Sequence, residues 1–375
     1  QHGFDKMLFL KRNQAGELVS AILVYVDDFM GVFRSDYDLE AVKEAFTWGS
    51  FEYLDTNKPV TFKGKQLTVF LQDGGRKIRI DQAEFIKGLG RLRLPKGRLG
   101  GDPVLTDEER GEFRSISGCL QWLCGQSRPE LAPVVSLSNK GAQTSPQDLK
   151  NLYEAADFAK STQDSGIVLQ DVPLNKASVL VTYADSSWAN ASDLRSQFGV
   201  LTLLAGPRVT QEVSKGFLLD WRSGRSTRVC RSTLAAEASA ADEACDRGAF
   251  LNMYLCELLY NVPAHLVGPR LLHLHVTDAK SLYDCCVQEN PSLSDKRSLV
   301  NVRAVQEVIE PKHLHWVPTH LQFADGLTKV DKELQSNFHE WLQEPTVVLS
   351  EDAQRLFAKQ NNTGDKDVLA FPSCA

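Results

Sequence analysis

The sequence lacks most features that would assign it to a protein class directly. None of its apolar runs approaches the roughly 18 residues that a membrane span needs, and no signal peptide is present, so we expect no membrane association. The eight cysteines follow neither a disulfide framework nor a zinc pattern, which predicts reduced thiols in an intracellular chain that is not secreted. The sequence contains no Gly-x-Ser-x-Gly motif, which is the motif typical of an α/β hydrolase. The chain begins with Gln1 rather than Met, and we expect a piece of a longer protein or a truncated gene product.

An excess of positive charge is also missing. The formal net charge is −6, whereas nucleic-acid-binding proteins are usually basic. Two segments are locally basic nonetheless: residues 87–98, and the set of Arg222, Arg225, Arg228 and Lys280. Either segment could bind a phosphate backbone. The first could equally be a solvated linker, and the second could serve solubility and helix capping.

Two adjacent acids interrupt the first apolar segment. Residues 18–33 are apolar and β-branched on both sides of Asp27 and Asp28, which predicts a β-hairpin with the acids at its turn. Burying two carboxylates is unfavourable unless something binds them, which would indicate a ligand site. The alternative is a solvated turn between ordinary strands, and the residues alone leave both open.

A small helical unit is predicted at residues 106–162. The Gly/Pro-rich segment 99–105 marks a boundary, and a capping box at Thr106 starts a helix at about residue 107. Ser127-Arg-Pro-Glu130 opens a second helix, and Ser145 with Pro146 opens a third that runs to about residue 160. The unit contains no residues that suggest chemistry.

The remaining chain alternates between strands and helices. We predict strands at 179–184, 197–205, 217–221, 271–277 and 313–317, and helices at 233–260, at 297–309 and from about 324. This order predicts a mixed α/β (α+β) layer fold. The last 25 to 30 residues are polar and are expected to fray.

Four carboxylates occupy comparable places in this alternating region. Asp185 and Asp278 each end a predicted strand, Glu237 lies near the start of the Ala-rich helix, and Asp325 opens the last helix. If the two strands are parallel neighbours, their acids emerge at the same edge of the sheet. Converging carboxylates need cations, and Mg²⁺ or Mn²⁺ prefers such oxygen ligands. Two ions about 4 Å apart can activate water for phosphodiester hydrolysis, and His320 could transfer protons.

Each acid also has an ordinary structural explanation. Asp185 and Asp278 could cap strand ends, Glu237 could be a first-turn helix acid, and Asp325 could be an N-cap. Taken one at a time, these explanations are the better ones. The joint pattern of two strand ends and two helix starts is more specific, and it favours a shared site.

The order of several motifs resembles the C-terminal part of the Pol polyprotein of copia-type LTR retrotransposons. Tyr25 to Asp28 is similar to the reverse transcriptase YVDD box, and Thr182 to Trp188 is similar to the family's ribonuclease H entry. Further similar segments are Gly118 to Leu123, Ser127 to Ala132, Leu219 to Ser223, Arg231 to Glu237, Val317 to His320 and Ala324 to Lys329.

The resemblance implies a function for each part of the chain. It implies a truncated reverse transcriptase palm at 1–98, a helical thumb or connection at 99–172, a ribonuclease H-like domain with a mixed five-stranded sheet at 177–345, and a tail at 346–375. The ribonuclease H part would cleave the RNA strand of an RNA–DNA hybrid with two metal ions. Its partners would be that hybrid and other Pol or Gag segments. The alternative is a catalytically dead remnant that at most binds nucleic acid.

The resemblance also assigns roles to the acids. Asp27 and Asp28 would be polymerase metal ligands, and the four later carboxylates would be the ribonuclease H ligands. The third polymerase acid, which the family places well upstream, has no counterpart here, so this chain alone should not polymerise. The segment ending at Glu237 carries one extra residue relative to the family motif, and Glu237 remains the best match in it.

Overall fold

A computed structural model describes residues 1–350 except 57, 73, 91 and 92. Arg91 of the predicted basic segment and residues 351–375 of the predicted tail lie outside the described residues. The described strands form three separate sheets. Within the described ranges, no helix combines the length and the apolar character that crossing a membrane requires.

The first sheet contains the predicted hairpin. Strands β1 (Leu8–Arg12), β2 (Leu18–Tyr25) and β3 (Asp28–Phe33) pair antiparallel in that order. Tyr25 pairs with Asp28, and Val26 in the turn has a φ of 55°, which is unusual for a β-branched residue. Asp27 and Asp28 are both exposed, which agrees with the solvated turn, one of the two possibilities that the sequence left open. Their role as polymerase ligands stays a prediction.

The second sheet and the helical unit follow. Strands β4 (Val60–Phe62), β5 (Lys65–Gln72), β6 (Gly75–Asp81) and β7 (Ile167–Leu169) pair antiparallel, and the short helices α1 (Glu40–Glu44) and α2 (Ala83–Lys87) lie in this part of the chain. The helical unit consists of α3 (Asp107–Cys124), α4 (Ala132–Ser138) and α5 (Pro146–Ser161). Complete capping boxes at Thr106 and Ser145 confirm the two predicted helix starts.

The third sheet is mixed. It contains β8 (Val179–Ser187), β9 (Gln197–Ala205), β10 (Ser214–Arg225), β11 (Leu272–Thr277), β12 (Leu314–Trp316) and β13 (Thr346–Val347), in the order β12-β11-β8-β9-β10-β13. Strands β8 to β10 are antiparallel, whereas β11 is parallel to both β8 and β12. The five expected strands are present, together with the short strand β13. β13 pairs with β10 and residues 347–349 are buried, so the first residues of the predicted tail 346–375 pack on this sheet.

Five helices accompany this sheet: α6 (Thr233–Tyr260), α7 (Ala264–Val267), α8 (Lys280–Cys286), α9 (Lys296–Val308) and α10 (Lys332–Trp341). The prediction that the last helix begins near residue 324 is wrong. Phe323–Leu327 is a short 3-10 segment, and α10 begins only at Lys332, where the Asp331 side chain accepts the Leu334 N–H. Asp325 therefore lies in a tight turn before the helix.

Close packing brings α6 against the sheet. A Cβ atom added at Gly248 would lie 2.4 Å from the His273 ring, so this glycine permits the close approach to β11. Ala238, Ala241 and Ala244 are fully buried on the same helix. The small side chains thus hold the helix that carries Glu237 near the strands that carry the aspartates.

Candidate active site

The parallel pairing of β8 with β11 brings two acids to one edge of the sheet. Val276 is the register partner of Tyr183, and Asp278 and Asp185 each lie two residues beyond that pair. The parallel pairing that the shared site required as a condition is therefore present. Asp185 is not the last residue of its strand, however, because pairing with β9 continues to Ser187. Asp185 is 4% exposed, and Asp278 is half-buried.

The 3-10 segment Phe323–Leu327 places Asp325 beside these strands. Asp185 faces Gly199 on β9, and a Cβ atom at Gly199 would lie 2.6 Å from the Leu327 Cβ and 2.8 Å from the Ala324 carbonyl oxygen. The absence of a side chain at Gly199 is thus what lets the segment lie on the sheet. Asp325 is 4% exposed as a result.

The four carboxylates interact electrostatically. Burial, and then the charges of Asp185 and Asp278, raise the pKa of Glu237 to about 9. Burial and Asp185 raise the pKa of Asp325 to about 7, and the same two causes raise the pKa of Asp278. Protons or cations are therefore needed to keep these groups together in the fold.

Thr328 and Lys329, which follow Asp325 closely in the sequence, supply a hydrogen bond and a positive charge to the four carboxylates. The Lys329 Nζ lies 2.7 Å from the Asp325 Oδ2. Burial alone would lower the pKa of Lys329, but the charge of Asp185, the hydrogen bond to Asp325 and the charge of Asp278 together raise it. The Thr328 hydroxyl donates a hydrogen bond to the Asp185 Oδ2. Lys329 is therefore the cation that accompanies the acids in this structure.

The donor atoms suit a divalent cation. Among the described residues, no group of three or more His, Cys, Asp or Glu side chains is arranged as it stands to hold a metal ion. The chemistry of the donors nevertheless fits Mg²⁺, because all four are hard carboxylate oxygens. The Glu237 Oε2 and the Asp325 Oδ1 are buried and have no hydrogen-bond partner, which leaves two oxygens able to accept a ligand.

His320 lies at the margin of the cluster. It is exposed in the short 3-10 segment Thr319–Leu321. The neighbouring Thr319 and Gln322 hydrogen-bond to Asp278 and lower its pKa against the effect of burial. Gln322 also donates to the Ala184 carbonyl at 2.9 Å, which ties this loop to β8.

Three of the four predicted nucleic-acid contacts are engaged in ion pairs. Arg222 pairs with Glu243 at 2.5 Å, and Arg225 lies 3.6 Å from Asp193. Lys280 pairs with Asp284 one helical turn away. Arg228 is exposed, and no ion pair forms at its side chain among the residues described.

Gly199, Gln322, Thr328 and Lys329 shape the site but had no predicted role. Thr328 and Lys329 end the motif Ala324 to Lys329, so the resemblance offered a signal for them. Gln322 lies between the similar segments Val317 to His320 and Ala324 to Lys329, so the resemblance offered a signal for it as well. Gly199 acts through contacts with a segment more than 100 residues away, and no local pattern marks it.

No protein-family model matches the chain. It is similar to the Ty1-DR5 and Ty1-H Gag-Pol polyproteins of Saccharomyces cerevisiae, with 24% identity over 336 residues in each case, which cover 87% of this chain. The truncated Ty1-A Gag-Pol polyprotein of the same yeast is 24% identical over 247 residues, or 64% of this chain. The chain spans only 17% to 19% of the length of these relatives. They confirm the resemblance to a copia-type Pol polyprotein.

Two solved structures are also similar to part of the chain. The N-terminal RNase H domain of rv2228c from Mycobacterium tuberculosis, solved as a fusion with maltose-binding protein, has a TM-score of 0.27 and 12% identity, covering 43% of this chain and 96% of that one. The PFV RNase H domain has a TM-score of 0.23 and 14% identity, covering 44% and 91%. TM-scores this low do not establish a shared fold, so the mixed α/β assignment rests on the strand order given above.

Proposed function

We propose that residues 177–345 form a ribonuclease H-type endonuclease that cleaves the RNA strand of RNA–DNA hybrids with two divalent metal ions. The observation that carries the proposal is the convergence of four carboxylates at one sheet edge, with a buried, unpartnered oxygen on both Glu237 and Asp325. The similarity to Ty1 Gag-Pol polyproteins supports it, because the motif resemblance implies a ribonuclease H in this part of a Pol polyprotein.

Each residue of the site would have a distinct role in this reaction. Asp185, Glu237, Asp278 and Asp325 would hold the ions, which when bound activate water and stabilise the leaving oxygen. Glu237 must first lose its proton, because its pKa is raised to about 9. Thr319 and Gln322 orient Asp278 through hydrogen bonds. His320, which is exposed and follows Thr319, would serve as the proton-transfer group.

The preceding residues would contribute binding and support instead of a second reaction. Residues 1–98 would be the truncated palm, with Asp27 and Asp28 as remnants of a polymerase site, and 99–172 the helical connection. Asp27 and Asp28 lie exposed at a hairpin turn. Two exposed carboxylates without a third acid do not make a polymerase site, so we expect no DNA synthesis by this chain alone.

Cleavage of a labelled RNA–DNA hybrid by the whole chain tests the proposal. We expect cleavage that requires Mg²⁺ or Mn²⁺ and that falls at least a hundredfold in Asp278→Asn, because the substitution keeps the shape and removes the charge of one ligand. Asp157→Asn, an exposed acid on α5, is the matched control and should retain full activity. Unchanged cleavage in Asp278→Asn would contradict the proposed site.

A second candidate is a non-catalytic remnant that binds nucleic acid. It is favoured by the arrangement of the acids, which in the described chain form no group able to hold a metal ion as they stand, and by the salt bridge from Lys329 to Asp325. For this candidate, the folded chain would bind the hybrid without Mg²⁺-dependent cleavage, and Asp278→Asn would bind it at least as well.

A further inference from the structure

Two exposed tryptophans lie beside the carboxylate cluster. Trp188 follows Asp185 by three residues and is 48% exposed, and Trp316 is 42% exposed. The Trp316 indole N–H donates to the Asp278 carbonyl oxygen at 2.9 Å, which fixes that ring directly to the site. The Trp188 indole N–H donates to the Cys230 carbonyl oxygen at 3.0 Å. Both rings are therefore held in place while their faces remain open to solvent.

The strand order places the two indoles on different sides of the acids. Trp316 ends β12, the edge strand next to β11 and Asp278. Trp188 follows β8 and reaches the connection between β10 and α6 through its bond to Cys230. Asp278 follows β11, which lies between β12 and β8 in the strand order, and Asp185 lies on β8, the strand that leads to Trp188.

A basic residue lies close in sequence to the carbonyl partner of each ring. Arg228 is exposed two residues before Cys230, and Lys280 is exposed two residues after Asp278, where it pairs with Asp284. Exposed aromatic faces next to basic side chains suit nucleic acid, since phosphates attract the cations while sugars and bases pack on the rings. A protein partner would gain little from an apolar contact that borders four carboxylates, three of them buried and one half-buried.

We propose that Trp188 and Trp316 are two aromatic contacts for an RNA–DNA hybrid, one on each side of the carboxylate cluster, which position the strand for cleavage. This inference rests on the function proposed above and names the residues that hold its substrate. Both are positioning residues, because neither side chain takes part in the chemistry.

Binding of a fluorescein-labelled RNA–DNA hybrid to the whole chain, followed by anisotropy, tests the inference. Ca²⁺ replaces Mg²⁺ so that cleavage does not consume the probe. We expect Trp188→Leu and Trp316→Leu each to raise the Kd about tenfold, within the range for loss of one aromatic stacking contact. Trp188→Phe and Trp316→Phe keep a ring without the indole N–H and should lie between the Leu variants and the native chain.

Trp122→Leu is the matched control. Trp122 is 41% exposed on α3, away from the acids, and its substitution should leave the Kd unchanged. Trp188→Leu and Trp316→Leu variants that bind like this control would overturn the inference, as would a native chain that does not bind the hybrid. Binding that the two variants weaken, in a chain that does not cleave, would contradict the nuclease proposal and leave standing only the part of the inference that concerns contact between the two rings and the hybrid.

Discussion

Replacing Gly199 with alanine should separate Asp325 from Asp185 without touching any acid. The new Cβ atom would lie 2.6 Å from the Leu327 Cβ and 2.8 Å from the Ala324 carbonyl oxygen. Both atoms are fixed by the backbone, so the segment 323–327 must move off the sheet. Overpacking of this kind costs about 1–3 kcal/mol, and we expect the free energy of unfolding to fall by about 2 kcal/mol. The shift also carries Asp325 away, so the stabilisation that Mg²⁺ gives the native chain should shrink.

Urea unfolding with and without Mg²⁺ measures both effects. Gly224→Ala is the matched control, because a Cβ atom there would lie 3.7 Å from the Phe198 ring, an ordinary contact in the same sheet. Its free energy of unfolding should change by less than about 0.5 kcal/mol. Equal stability and equal Mg²⁺ dependence in the two variants would refute the view that Gly199 sets the position of Asp325.

Three further changes test the electrostatics. The pKa of Glu237 is raised from 4.5 to about 9, so the stability that this group contributes is complete below about pH 4.5 and is lost as the pH rises to about 9. The Tm of the native chain in EDTA should therefore fall over this pH range, and Glu237→Gln should flatten the fall. Glu130→Ala should cost about 3–5 kcal/mol in urea unfolding, since it leaves the buried Arg128 guanidinium without its carboxylate, and a loss below about 1 kcal/mol would contradict this. Lys329→Met should lower the Tm in EDTA and enlarge the rise in Tm that Mg²⁺ produces, because the cation beside Asp325 is gone; equal rises in both proteins would contradict it.

Short-range sequence patterns predicted most helices and strands, whereas contacts between distant segments determined the conformation around Asp325. The capping boxes at Thr106 and Ser145 and the strands that lead to Asp185 and Asp278 follow from short-range chemistry and hydrophobic pattern. The parallel pairing of these two strands was only a condition of the predicted site. The sequence did not predict that Asp325 lies in a 3-10 segment instead of a helix. That choice depends on a glycine more than 120 residues earlier in the chain, on a different strand, and no periodic pattern contains it.

The exposure of polar residues was equally hard to predict. Asp27 and Asp28 are flanked by apolar residues, and the sequence could not decide between a buried ligand site and a solvated turn; in the structure the hairpin turn carries them into solvent. The segment Ser127 to Glu130 showed no sign of chemistry, yet Arg128 and Glu130 form a fully buried ion pair, and His339 lies 3.1 Å from the same carboxylate. Burial is set by the whole fold, and a single sequence reports it only on average.

The contacts of Glu130 argue against treating the predicted domains as independent. The Glu130 carboxylate joins the helical unit to α10 through His339. Burial alone would raise the pKa of Glu130, but Arg128 and His339 lower it by more. On the other face of the same unit, the Trp221 indole donates to the Cys124 carbonyl oxygen at 2.8 Å. A cut near residue 172 would expose the apolar surfaces around both contacts and leave the His339 ring without its carboxylate. The carboxylate site depends on the segment between β12 and α10, so its geometry requires the helical unit as well, and the nuclease proposal concerns the whole chain.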